Sequence, residues 1–141
     1  MGMYGERMLP RIVNMACGQQ DMRPLRRRAC ASLAGDVRLS GLDGQDLPFP
    51  DGTFDAALST WTLCTIPDVV AALDELQRVL KPGGTLHFVD HGLAPDESVR
   101  RWQRRLEPVQ KVVFGGCHLT RPIADLLTGA GFTITELDVF Y

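Results

Sequence analysis

What this sequence of 141 residues lacks narrows it first. Its four cysteines, Cys17, Cys30, Cys64 and Cys117, include no CxxC pair. That spacing argues against a zinc knuckle and a disulfide scaffold, so reduced thiols are expected and no metal-ligand set. No run approaches the ~18 consecutive apolar residues of a membrane span, and Glu6, Arg7 and Arg11 interrupt the N-terminus before any long apolar stretch. A cytosolic, cytoplasmic chain without a transmembrane segment is expected. Charge of one sign is also missing. Fifteen Lys+Arg stand against 17 Asp+Glu, which gives no electrostatic reason to expect nucleic acid as a partner. There is no internal repeat and no low-complexity segment.

What is present suits one globular domain with a real core, since 45% of the residues are hydrophobic. Val69, Leu73, Leu76 and Leu80 recur at helical spacing, with Asp68 as N-cap and Lys81-Pro82-Gly83-Gly84 as the stop. Lys81 complements the helix C-terminus, Pro82 ends it, and the glycines supply the turn. The nearly uncharged runs "FDAALSTWTLC" (54–64) and "TLHFVDH" (85–91) flank this helix, each of a length for a buried strand. Strand, helix, strand predicts a βαβ unit, a mainly parallel sheet and an α/β class. "DVRLSGL" (36–42) reads as a further strand, and "FTITELDVF" (132–140) as a last one. Between them, a helix over 99–113 crowded with arginine is interrupted or kinked near Pro108. A second helix, capped by Thr120, carries Ile123, Leu126, Leu127 and Ala130 and stops at Gly131.

In open α/β sheets, ligands lie outside the carboxyl ends of the strands, so the loops after 42, after 60 and after 90 should face one crevice. Asp90 and His91 sit at such an end and are the candidates for a general base. His118, beside Cys117 in "GGCHLT", comes next. The plainer reading of each histidine is a satisfied structural residue, and of Cys17, Cys30 and Cys64 small buried hydrophobes. Arg100, Arg101, Arg104 and Arg105 share a helical face beside Trp102, which reads as a solvated face or as a surface for anionic lipid or phosphate.

The stretch "GLDGQDLPFPDGTFDAALSTWTLCTIPDVVAALDELQRVLKPGGTLHFVDHGLAPD" (41–96) resembles the second half of a class I S-adenosylmethionine-dependent methyltransferase of type 11. Its nearest branch contains quinone-biosynthesis and thiol or other small-molecule methyltransferases. The pairing of "LPFPDGTFD" with "RVLKPGG" carries the likeness, which continues through "RRWQRRLEPVQ" and "GGCHLTRPIADLLTGAGF". The resemblance implies a Rossmann-like fold, S-adenosyl-L-methionine as cofactor and a small, lipophilic methyl acceptor as substrate. It implies that Asp43 and Gly44 contact the adenine, through a carboxylate and a backbone N–H, and that Thr60 lies near the methionine end. The same residues also read as an ordinary turn and a packed strand residue. Methyl transfer rests on alignment and a dry pocket, with a base needed only where the acceptor must lose a proton.

The pattern departs from the family upstream. A glycine-rich turn, and an acid about 20 residues beyond it for the ribose, should precede the adenine loop. "IVNMACGQQ" (12–20) imitates that turn but has Asn14 for the usual acid and Gln20 at a glycine position. "VRLSGLDG" (37–44) imitates it too, but the adjoining "QDLPFPDGTFD" fixes it as the third strand. The expected organisation is therefore an N-terminal helical leader over 1–34, joined directly to a partial methyltransferase domain over 35–141. The ~30 residues of a βαβ unit do not fit between Ala29 and Asp36, and the chain stops before the family's final antiparallel strand. Loss of the ribose carboxylate alone removes about 1.5–3 kcal/mol, roughly tenfold to a hundredfold in affinity. A missing central strand leaves edges that a homo-oligomer could pair. Three readings stand: a working enzyme, a non-catalytic interaction module, and a remnant with no selected role.

Overall fold

The computed structural model describes residues 43–139. The expected leader, the strand over 36–42, Cys17 and Cys30 lie outside them. The described elements are β1 (Phe54–Thr60), α1 (Val69–Val79), β2 (Leu80–Val89), α2 (Glu97–Val113) and α3 (Ile123–Gly129). Among the described residues β1 and β2 form one parallel ladder, the expected βαβ unit.

Helix α1 begins where the sequence indicates. The Asp68 carboxylate accepts from the Ala71 N–H at 3.0 Å, satisfying one of the orphan donors of the first turn. Its apolar side carries Val69 and Leu73 into a core completed by Leu63, Ile123 and Leu127, against which Leu76, Leu86, Phe88 and Leu126 pack. Its outer side fastens the preceding loop. Arg78 donates to the Leu47 and Phe49 carbonyls and to the carboxylates of Asp51 and Glu75, while Glu75 accepts the Leu47 N–H. The bonds from Arg78, followed by that from Leu47, pull Glu75 down to about 2.

Lys81–Gly84 end the helix as expected, but they do so inside the ladder. Leu80 already pairs with Phe54, the next partner pair is Ala56 with Thr85, and the four residues between bulge outward. Gly83 takes a φ of 79°, a left-handed conformation that suits glycine. Gly84 is held for space: a Cβ there would lie 2.9 Å from the Lys81 carbonyl oxygen and 3.1 Å from that of Asp55.

Three expectations need correction. Thr120 does not cap α3, which starts after Pro122; its N–H and hydroxyl both donate to Glu107 of α2. The arginine-rich helix is not interrupted at Pro108, where proline removes one N–H from the ladder; it runs from Glu97 to Val113. Residues 132–139 form no strand: Phe132 and Ile134 pack on the core, but no described backbone pairs with this segment. Side-chain burial holds it where a ladder was expected.

These contacts have measurable consequences. Gly84→Ala must displace backbone atoms and should lower stability by about 1–3 kcal/mol in urea unfolding. Glu107 is mostly buried. Burial opposes its ionisation, but the bonds from Lys111 and Thr120 outweigh that and bring it to about 2 from an ordinary 4.5. A carboxylate with a depressed folded value contributes fully above 4.5 and loses its contribution as pH falls towards about 2. Glu107→Gln should therefore cost about 1 kcal/mol at neutral pH and flatten the decline of the melting temperature across that acid range.

Candidate active site

The parallel register puts Thr60, the last residue of β1, opposite Val89, the last of β2. Trp61 and Asp90 therefore leave the sheet side by side, at the carboxyl edge where an open α/β sheet receives ligands. Trp61 ends β1 abruptly. Its φ of 57° is unusual for a residue with a side chain, and its N–H donates to the Val89 carbonyl at 2.8 Å. The chain then doubles back through residues 62–66, with Thr62 donating to the Thr60 carbonyl.

Hydrogen bonds gather the loops at this edge. Asp90 Oδ1 accepts the Cys64 N–H at 3.1 Å and Oδ2 accepts the Ser59 hydroxyl at 3.4 Å. The Cys64 carbonyl accepts the His118 N–H, and the Arg121 guanidinium spans the carbonyls of Leu63 and Ile66 at 2.6 and 2.8 Å. The Asp43–Gly44 loop joins from the other side. Gln45 Oε1 accepts the Asp68 N–H at 2.8 Å, and a Cβ on Gly44 would lie 3.0 Å from the Ile66 side chain. Asp43 folds its carboxylate onto its own loop, taking the N–H and side-chain amide of Gln45 at 3.0 Å each. Those bonds hold its pKa below the ordinary carboxylate value.

The candidate bases separate. Burial, then the neighbouring Cys64, pushes Asp90 up to about 7. The His91 ring lies next to it, 4.7 Å from the Trp61 ring, with Nδ1 3.2 Å from Cys117 Sγ. His118 goes elsewhere. Its backbone belongs to the site, but its Nδ1 faces Glu107 at 3.7 Å. Burial, then the charges of Arg121 and Lys111, lowers its proton affinity.

Two features escape a reading by residue spacing. The Trp61 indole Nε1 is buried with no partner among the described residues, a donor aimed at nothing. Its signal was local, an indole directly after Thr60 in a nearly uncharged run. The second is the meeting of Cys64 and Cys117, 53 positions apart, with their sulfurs at 3.5 Å. No spacing motif encodes it. The expectation that Cys64 is a small buried residue holds, since only 1% of it is exposed.

Asp90→Ala leaves the Cys64 N–H and Ser59 hydroxyl without their acceptor and should cost about 1–3 kcal/mol in chemical denaturation. Asp90→Asn keeps an acceptor for Cys64 and should cost less than half as much.

A family model described as a methyltransferase domain matches residues 14–88, more than half of the chain. The thiol S-methyltransferase TMT1B of Rattus norvegicus is 40% identical over 89 residues, covering 62% of this chain and 36% of the relative. The 2-phytyl-1,4-naphtoquinone methyltransferase of Synechococcus elongatus is 31% identical over 119 residues, covering 67% and 51%. A solved SAM-dependent methyltransferase from Thermotoga maritima superposes with a TM-score of 0.50 at 29% identity, covering 64% of this chain and 44% of its own. This chain thus spans about a third to a half of the length of these proteins. With its parallel βαβ unit and the loops gathered at the carboxyl edge, the chain belongs to the class I S-adenosylmethionine-dependent methyltransferases.

Proposed function

We propose that this chain transfers a methyl group from S-adenosylmethionine to a small lipophilic acceptor, with a thiol as the acceptor class. The observation that carries the reading is the convergence of three loops on one sheet edge. Gly44 packs on Ile66, Gln45 holds Asp68, and Asp90 reaches across to Cys64. The names of the thiol and quinone relatives support a small-molecule acceptor.

The described residues fit part of such a cofactor. Asp43 presents an exposed carboxylate beside Gly44, suited to an amine and a ring nitrogen of adenine. The Trp61 N–H, next to Thr60, has no acceptor among the described residues, and a bound ligand would supply one. When bound, the cofactor supplies an electrophilic methyl on a sulfonium. The chain's own work is positional. Thr60 and Trp61 shape the floor of the crevice, and Asp90 or His91 takes the proton that a thiol acceptor must lose.

One observation favours a second reading, a non-catalytic interaction module. No residue of helix α2 is fully buried, and it exposes Trp102, Leu106, Val109 and Val112. Its arginines are partly neutralised by Glu97, which pairs with Arg104 at 2.6 Å and approaches Arg100 and Arg101 at 3.9 Å. That leaves the apolar stripe, more than charge, as what a partner would cover. On either reading a homo-oligomer would pair through the edges of β1 and β2 that no described strand covers.

Calorimetric titration of the full chain with S-adenosylhomocysteine separates the two. The enzyme reading expects micromolar binding, weakened about tenfold to a hundredfold in Asp43→Ala, and methyl transfer to a lipophilic alkanethiol. An absence of both heat and thermal shift at millimolar ligand would overturn it and leave the interaction module.

A further inference from the structure

Cys64, His91 and Cys117 come from three different loops: after β1, after β2 and after α2. Their ligand atoms lie close together. Cys64 Sγ and Cys117 Sγ are 3.5 Å apart, and His91 Nδ1 is 3.2 Å from Cys117 Sγ and 4.0 Å from Cys64 Sγ. A tetrahedral ion with bonds of about 2.3 Å to sulfur and about 2.0–2.1 Å to nitrogen places its ligand atoms about 3.8 Å (sulfur to sulfur) and about 3.5 Å (sulfur to nitrogen) apart. The sulfur–sulfur separation is about 0.3 Å shorter than that value, and the two sulfur–nitrogen separations lie about 0.3 Å below and about 0.5 Å above theirs.

The surroundings hold each donor in place. Cys64 is fixed on both sides of its peptide, its N–H on Asp90 and its carbonyl on the His118 N–H. The Trp61 ring packs against the His91 imidazole. Cys64 and Cys117 are 1% and 4% exposed and are not joined in a disulfide. Core cysteines need only apolar neighbours, whereas here an imidazole nitrogen is turned onto the two sulfurs.

We propose that Cys64, His91 and Cys117 form a binding site for a thiophilic d¹⁰ cation, zinc in the first instance. Two sulfurs and one nitrogen select a soft or borderline ion and disfavour magnesium or calcium, which require oxygen. Among the described residues three ligands are offered, and the fourth position of a tetrahedral ion goes to water or another donor. Binding breaks the two S–H bonds and releases both protons to solvent, with no change of oxidation state. His91 then serves as a ligand, and the proton-accepting role in methyl transfer falls to Asp90. The site does not depend on that role.

The test uses the full chain, reduced, stripped with a chelator and titrated anaerobically with Co²⁺. One equivalent should produce a sulfur-to-cobalt charge-transfer band and d–d bands of tetrahedral intensity, both removed by Zn²⁺. Zinc should also shield two thiols from alkylation. Loss of an outer partner of a metal ligand costs about 10–100-fold, so Cys117→Ser and His91→Ala should each weaken binding by about a hundredfold or more. Thermal melts of each variant separate lost binding from lost folding. Absence of the charge-transfer band, its persistence in a folded Cys117→Ser, or recovery of Cys64 and Cys117 as a metal-independent disulfide would overturn the proposal.

Discussion

The parallel ladder between β1 and β2 is the constraint on which the rest of the structure depends. From Ala56 opposite Thr85 to Thr60 opposite Val89, the register is continuous, so both strands end at the same level. Trp61 and Asp90 emerge there together. A slip of one residue would turn Leu86 and Phe88 away from the core they share with Leu73 and Leu127, so burial and register enforce each other. The bulge at Lys81–Gly84 absorbs the mismatch at the other end and leaves the functional edge in step.

At that edge, backbone polar groups left over from the loops are taken up by a few side chains. Asp90 receives the Cys64 N–H, Arg121 donates to two carbonyls, and Gln45 receives the first N–H ahead of α1. Irregular loops can pack near a core only when such groups are satisfied. The side chains that do this are therefore the ones that hold the loops at this edge. Asp90 has both duties, which makes its environment a matter of structure as much as of chemistry.

Family membership and activity are separate questions for this chain. A fold hosts many chemistries, and the site decides among them. Here the site combines an exposed Asp43 loop, an orphaned indole N–H and a buried pair of thiols facing an imidazole. The three residues of the last lie within the stretches that carry the family likeness, but no spacing motif announces that they meet.

Helix α1 and the two strands beside it were legible in the sequence because their determinants are local: the spacing of Val69, Leu73 and Leu76, the cap at Asp68, and the stop at Lys81–Gly84. So were the positions of Thr60, Asp90 and His91 at strand ends, since strand length and parallel order imply which end meets ligand. Local pattern misled where partners were distant. Thr120 resembles a cap, but Glu107 of another helix outcompetes α3 for it, and the alternation in residues 132–139 meets no described strand. It ranked His91 ahead of His118 by strand position but could not show that their rings face different clusters, or bring Cys64 to Cys117. Periodicity and capping act over a few residues, whereas a cluster drawn from three loops exists only once the packed core has set the distances between them.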